Sequence, residues 1–174
     1  MAENYPKLEL TPKQKQVYEF LKTSSRDSEY FIYKWYLGAL YVLDNPHNPD
    51  RFSQAANSLR ELMEKLLMLG LNNTKKRLRN EEHIKDFYRK NDPGFDVLPD
   101  SLQKEITKKY YKLRQKLEII THHNTQINPV TESRFNENIS RLEEILIRLD
   151  LSYVKEERVE IRRSIKKYQD GNEE

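Results

Sequence analysis

In this 174-residue chain the side chains that titrate near neutrality without perturbation are its four histidines, since there is no cysteine. His47 lies between two prolines in Asp44-Asn-Pro-His-Asn-Pro-Asp50, and His122-His123 closes a long apolar-periodic segment, where positive charge complements a helix dipole. Neither has a second ligand at the four-residue spacing that puts two on one helical face, so no metal and no cofactor are expected. His-Glu-x-x-His, a phosphate-binding glycine loop and a Gly-x-Ser-x-Gly elbow are all missing. His83 stands apart, because it ends the basic run Lys75-Lys-Arg-Leu-Arg-Asn-Glu-Glu-His83. Arg77, Arg79, Asn80 and His83 fall within about two helical turns. On a helix, Arg79 and Asn80, four and three residues before His83, would share its face. A guanidinium to hold phosphate and an imidazole to move a proton are what metal-independent cleavage at an RNA 2′-hydroxyl needs.

Arg77-Leu-Arg-Asn-Glu-Glu-His83 has the Arg-to-His spacing, and Arg79-Asn-Glu-Glu-His83 the Arg-polar pair, of the HEPN superfamily signature, which the chain resembles over at most residues 10–90. That resemblance implies an all-α bundle from bacterial defence and toxin systems. If active, it would be a metal-independent ribonuclease with His83 as acid or base and Arg77 or Arg79, beside Asn80, on phosphate.

The same basic residues also suit binding without catalysis. Net charge is only +3, yet it is +4 over Lys75–Lys90, +4 over Lys104–Glu118 and +3 over Lys155–Lys167. Side by side, such helices would form one basic surface for RNA, single-stranded DNA or an acidic protein, through Lys75, Lys76, Arg89, Lys108, Lys109 and Lys112. Lys108-Lys-Tyr-Tyr-Lys112 adds aromatics to cations, as single-strand binding requires. A third reading draws on more of the chain. Residues 30–43 are apolar on nearly all sides, the chain has eleven tyrosines, and Trp35, Tyr36 and Tyr41 supply the rigid area that anchors protein interfaces. The leading expectation is a non-enzymatic interaction or regulatory module of a cytosolic multi-protein system, such as one of bacterial defence, its partner another protein or a second copy.

The elements that must position these residues follow from composition and periodicity. With 36% apolar and 34% charged residues, four glycines and a mean hydropathy of −0.96, the chain is too polar for a membrane span and too glycine-poor for a sheet sandwich. It should be all-α. The first residues resemble neither a signal nor a transit peptide, which points to the cytoplasm. Cap-then-proline pairs at Thr11-Pro12 and Asn48-Pro49 start two helices, the second running to a left-handed C-cap at Gly70. Its apolar face includes Leu59, Leu62 and Leu66, and its polar face Arg60, Glu61 and Glu64. Between them lies a helix over 29–43, and a basic helix over 74–90 follows. Carboxylate pairs at Glu81-Glu82, Glu143-Glu144 and Glu156-Glu157 read as solvated faces.

Residues 93–99 form the strongest breaker and so divide a bundle over 1–92 from a segment over 100–174. In that second part Leu102, Ile106, Tyr110, Leu113, Leu117 and Ile120, then Phe135, Ile139, Leu142, Leu146 and Leu149, make heptad-like stripes. These predict a long antiparallel hairpin with coiled-coil-like packing, lying on the bundle or projecting from it, and a further helical stretch beyond Ser152.

Overall fold

The computed structural model describes residues 8–25, 31–72, 80–92, 94–122 and 130–150. Among them are six α-helices and no strand: α1 (Pro12–Ser24), α2 (Ile32–Leu43), α3 (Arg51–Gly70), α4 (Glu81–Asn91), α5 (Asp100–His122) and α6 (Glu132–Arg148). No helix among these residues is long and apolar enough to cross a membrane. Lys75, Lys76, Arg77, Arg79 and His123 lie outside the described residues, as does the stretch beyond Ser152 with Glu156-Glu157.

Local chemistry accounts for most helix ends. Thr11 accepts from the Gln14 amide at 3.2 Å while the Gln14 side chain accepts from the Thr11 amide at 2.9 Å, a reciprocal capping box. Thr131 caps α6 by accepting from the Arg134 amide. The start of α3 differs from expectation: the Asn48 side chain accepts from the Asp50 amide, closing a turn, and the helix begins at Arg51, beyond Pro49. Its end differs too. Gly70 is the last helical residue, and the left-handed conformation falls on Asn72, with φ 53°. Glycine stands at position 70 for space: an added Cβ would lie 2.3 Å from Cε2 of Phe87, whose ring packs there as α4 crosses the end of α3.

The basic helix also starts later than its composition suggests. Asn80 is extended (φ −96°, ψ 164°), and its side chain accepts from the His83 amide at 2.9 Å, so Asn80 is the N-cap of α4. Glu81 and Glu82 occupy the first turn, where negative charge suits the dipole. A continuous helix over 74–90 is therefore ruled out.

One hydrophobic core runs through all six helices. It includes Val17 and Leu21 of α1, Ile32 and Ala39 of α2, Leu59, Leu62 and Leu67 of α3, Phe87 of α4, Leu117 of α5 and Leu142 of α6. Phe95 of the breaker segment joins it as well, fully buried and stacked on Tyr88 at 5.2 Å. Asp92 organises that turn by accepting from the Gly94 amide at 3.1 Å and from Arg148 Nε at 2.9 Å.

The α5 and α6 stripes face this shared core. Helix α5 lies chiefly along α3 and α4, with Tyr110 Oη donating to the Met63 carbonyl at 2.7 Å, whereas α6 lies chiefly against α1. They are not each other's main partner. Because α5 brings Arg114 onto α3, Glu64 is buried opposite it, 3.9 Å away, and does not sit on a solvated face. Glu143 of α6 is buried for a comparable reason, since Tyr36 Oη donates to it at 2.8 Å.

Candidate functional site

The different main partners of α5 and α6 leave a concavity between them. Between the first half of α5 and the second half of α6 lies a groove of about 580 Å³. Its floor is formed by Ile106 and Leu113 of α5, Ile145 of α6 and Tyr88 of α4. Lys109, Lys112 and Lys116 line it from α5 and Arg141 and Arg148 from α6, against a single carboxylate, Glu144. The three lysines are spaced by three and four residues, so they repeat on one side of α5.

These cations differ in how far their charge is already met. Lys109 pairs with Glu105 at 2.8 Å, and the ammonium holds that carboxyl below its ordinary range. Arg141 pairs with Glu137 one turn back along α6, and Arg148 with the buried Asp92. Lys112 and Lys116 have no ion pair among the described residues. The strongest unanswered positive charge therefore lies on the α5 wall.

Tyr88 gives the floor a polar point. Its ring is fully buried, stacked on Phe95 and edge-on to Tyr110 at 6.2 Å. Its hydroxyl is buried with no hydrogen-bond partner among the described residues. A buried hydroxyl without a partner is costly and uncommon in a folded protein. Burial pushes the phenol well above its ordinary range, Arg148 opposing this and Asp92 adding to it. At neutral pH it is a hydrogen-bond donor held beside the Arg148–Asp92 pair.

The residues singled out from sequence are distributed unevenly around this site. Lys109 and Lys112 line the groove; Lys108, on the same helix, is exposed outside its walls. Arg89 lies within 4 Å of three carboxylates, those of Glu82, Asp86 and Asp96, so its charge serves α4 and the following turn. The Asn80 side chain caps α4 by accepting from the His83 amide, and His83 Nδ1 is buried without a partner among the described residues. The helical spacing that would align Arg79 with His83 does not extend across an extended Asn80. On α2, Tyr36 is buried and bonded to Glu143, Trp35 is half-buried against the core, and Tyr41 is 47% exposed.

Sequence reasoning missed Lys116, Arg141, Arg148 and Tyr88. The three-and-four spacing of Lys109, Lys112 and Lys116 and the seven-residue spacing of Arg141 and Arg148 were signals for two basic rows. That they face each other depends on tertiary packing. Among the described residues no group of three acidic or histidine side chains is placed to hold a metal ion. No family model matches the chain, no curated protein is similar to it, and no solved structure matches it.

Proposed function

We propose that this protein is a non-enzymatic interaction module that docks an acidic partner protein in the α5–α6 groove. The observation that carries this reading is the pairing of an apolar floor with two basic walls, in which Lys112 and Lys116 have no ion pair among the described residues. Surface lysines scattered on a helix keep a protein soluble. Lys112 and Lys116, together on the α5 wall of one concavity, create a local positive potential that draws in and orients an acidic surface. The expected all-α bundle with its last helices folded back supports this reading, because α5 and α6 then present opposed walls. The exposed face of α2, with Phe31 51% and Tyr41 47% accessible, is a further apolar surface. Nothing beside it among the described residues points to an occupant, so the groove bears the reading.

The test is equilibrium binding of fluorescein-labelled poly-L-glutamate and of labelled oligouridine to the full chain at low and high salt. Binding of poly-glutamate that weakens with salt and is lost in Lys112→Glu/Lys116→Glu is the expected result. Cleavage of the oligouridine, abolished by His83→Ala in a folded protein, would establish the ribonuclease alternative in its place. Tight oligouridine binding without cleavage, insensitive to poly-glutamate, would establish a nucleic-acid-binding protein.

A further inference from the structure

The groove's geometry goes further than its charge. We propose that the α5–α6 groove seats a single amphipathic helix of the partner, its apolar stripe on Ile106, Leu113 and Ile145 and its carboxylates along the two basic walls. This rests on the reading of the groove as an acidic-partner site and specifies what that partner must present.

Length and period come first. Lys109 to Lys116 and Arg141 to Arg148 are each seven residues apart on a helix, about 10.5 Å along each wall at 1.5 Å per residue. An incoming helix repeats its own side chains over the same distance, with carboxylates at i, i+3 or i+4, and i+7 flanking an apolar stripe. Burying apolar side chains in a groove while charged flanks set orientation is the helix-in-groove mode of recognition.

The floor then separates this occupant from a nucleic-acid strand. Single-strand binding sites place exposed aromatic rings where bases can stack. Here the one aromatic lining residue, Tyr88, is fully buried, and the rest of the floor is aliphatic. A phosphate chain would meet the walls and leave Ile106, Leu113 and Ile145 uncovered.

The chain's own residues 155–167 are a poor occupant, because they carry six basic and three acidic residues and would bring like charge to the walls.

The test uses the full chain and two labelled peptides of about 14 residues, roughly 21 Å long when helical. Both contain the same leucines and glutamates. One arranges them as an apolar stripe with acidic flanks, and the other scrambles that pattern. We expect the amphipathic peptide to bind at least about tenfold more tightly than the scrambled one, a difference of about 1.4 kcal/mol, and to gain helical circular dichroism on binding. Lys112→Gln/Lys116→Gln should weaken it by at least a further tenfold or so without changing the protein's fold. Equal binding of both peptides, lost in the lysine variant, would overturn the helix proposal and leave the acidic-partner reading standing. Failure of both peptides to bind, or oligouridine binding that displaces them, would overturn both.

Discussion

Two glycines on helices show how differently the same residue is constrained. A Cβ at Gly70 would meet Phe87 Cε2 at 2.3 Å and Asn91 Nδ2 at 2.8 Å, whereas one at Gly38 would meet nothing within 4 Å. Gly38→Ala should therefore stabilise the protein by about 0.5–1 kcal/mol, through the ordinary gain in helix propensity. Gly70→Ala should destabilise it by about 1–3 kcal/mol, because the Phe87 ring must move. Urea midpoints read both, and a gain at Gly70 would refute the close approach. Tyr36 poses a sharper question, as its hydroxyl is a buried donor to a buried carboxylate. Tyr36→Phe removes that bond and leaves Glu143 with Lys13, whose Nζ lies 3.5 Å away. A loss of about 1–3 kcal/mol is expected, and an unchanged midpoint would show that Glu143 is solvated after all. Neither role was legible in the sequence. Tyr36 lies among many aromatics and Glu143 beside Glu144, and only the approach of α6 to α2 distinguishes them.

At the scale of elements, periodicity revealed the helices well. Phe135, Ile139, Leu142 and Leu146, which the α6 stripe marked out, are buried, and the α5 stripe is buried from Ile106 onward. Periodicity did not reveal what each stripe would meet. Stripes of similar width suggested that α5 and α6 pack mainly on each other; the structure places α5 on α3 and α4, and the groove exists because of that difference. The sequence also held a start signal at Asn80-Glu81-Glu82 that the surrounding basic residues obscured. Asn80→Ala should cost about 1 kcal/mol of stability by leaving the His83 amide without its acceptor, and Asn80→Asp should restore most of it. A variant with wild-type thermal stability would argue against the cap.

For the molecule as a whole, the core's buried tyrosines set an alkaline limit. Burial raises the phenols of Tyr36, Tyr88 and Tyr110 above their ordinary value of 10.0. Each keeps its proton when folded and gives it up above pH 10 when unfolded, so the stabilisation is complete below pH 10 and falls as pH rises beyond it. One such group lowers stability by about 1.4 kcal/mol per pH unit, and three together by about 4. Against the 5–15 kcal/mol typical of a domain, the protein should unfold cooperatively within a few pH units above 10. Tyrosinate absorbance from these residues should appear together with the loss of helical circular dichroism. Ionisation well before unfolding would show that they are less enclosed than the structure indicates.

The contacts that close the core also join distant parts of the chain. Lys13 meets Ser140 across 127 residues, and Tyr36 meets Glu143 across 107. During synthesis the early helices emerge first, yet the surfaces of α1 and α3 are covered only when α6 and α5 arrive. A nascent chain halted near residue 99 would thus expose the α3 face that Tyr110 and Leu117 later cover, and protease should cut it readily on the ribosome. Resistance should appear only once the ribosome has released residues beyond Glu143.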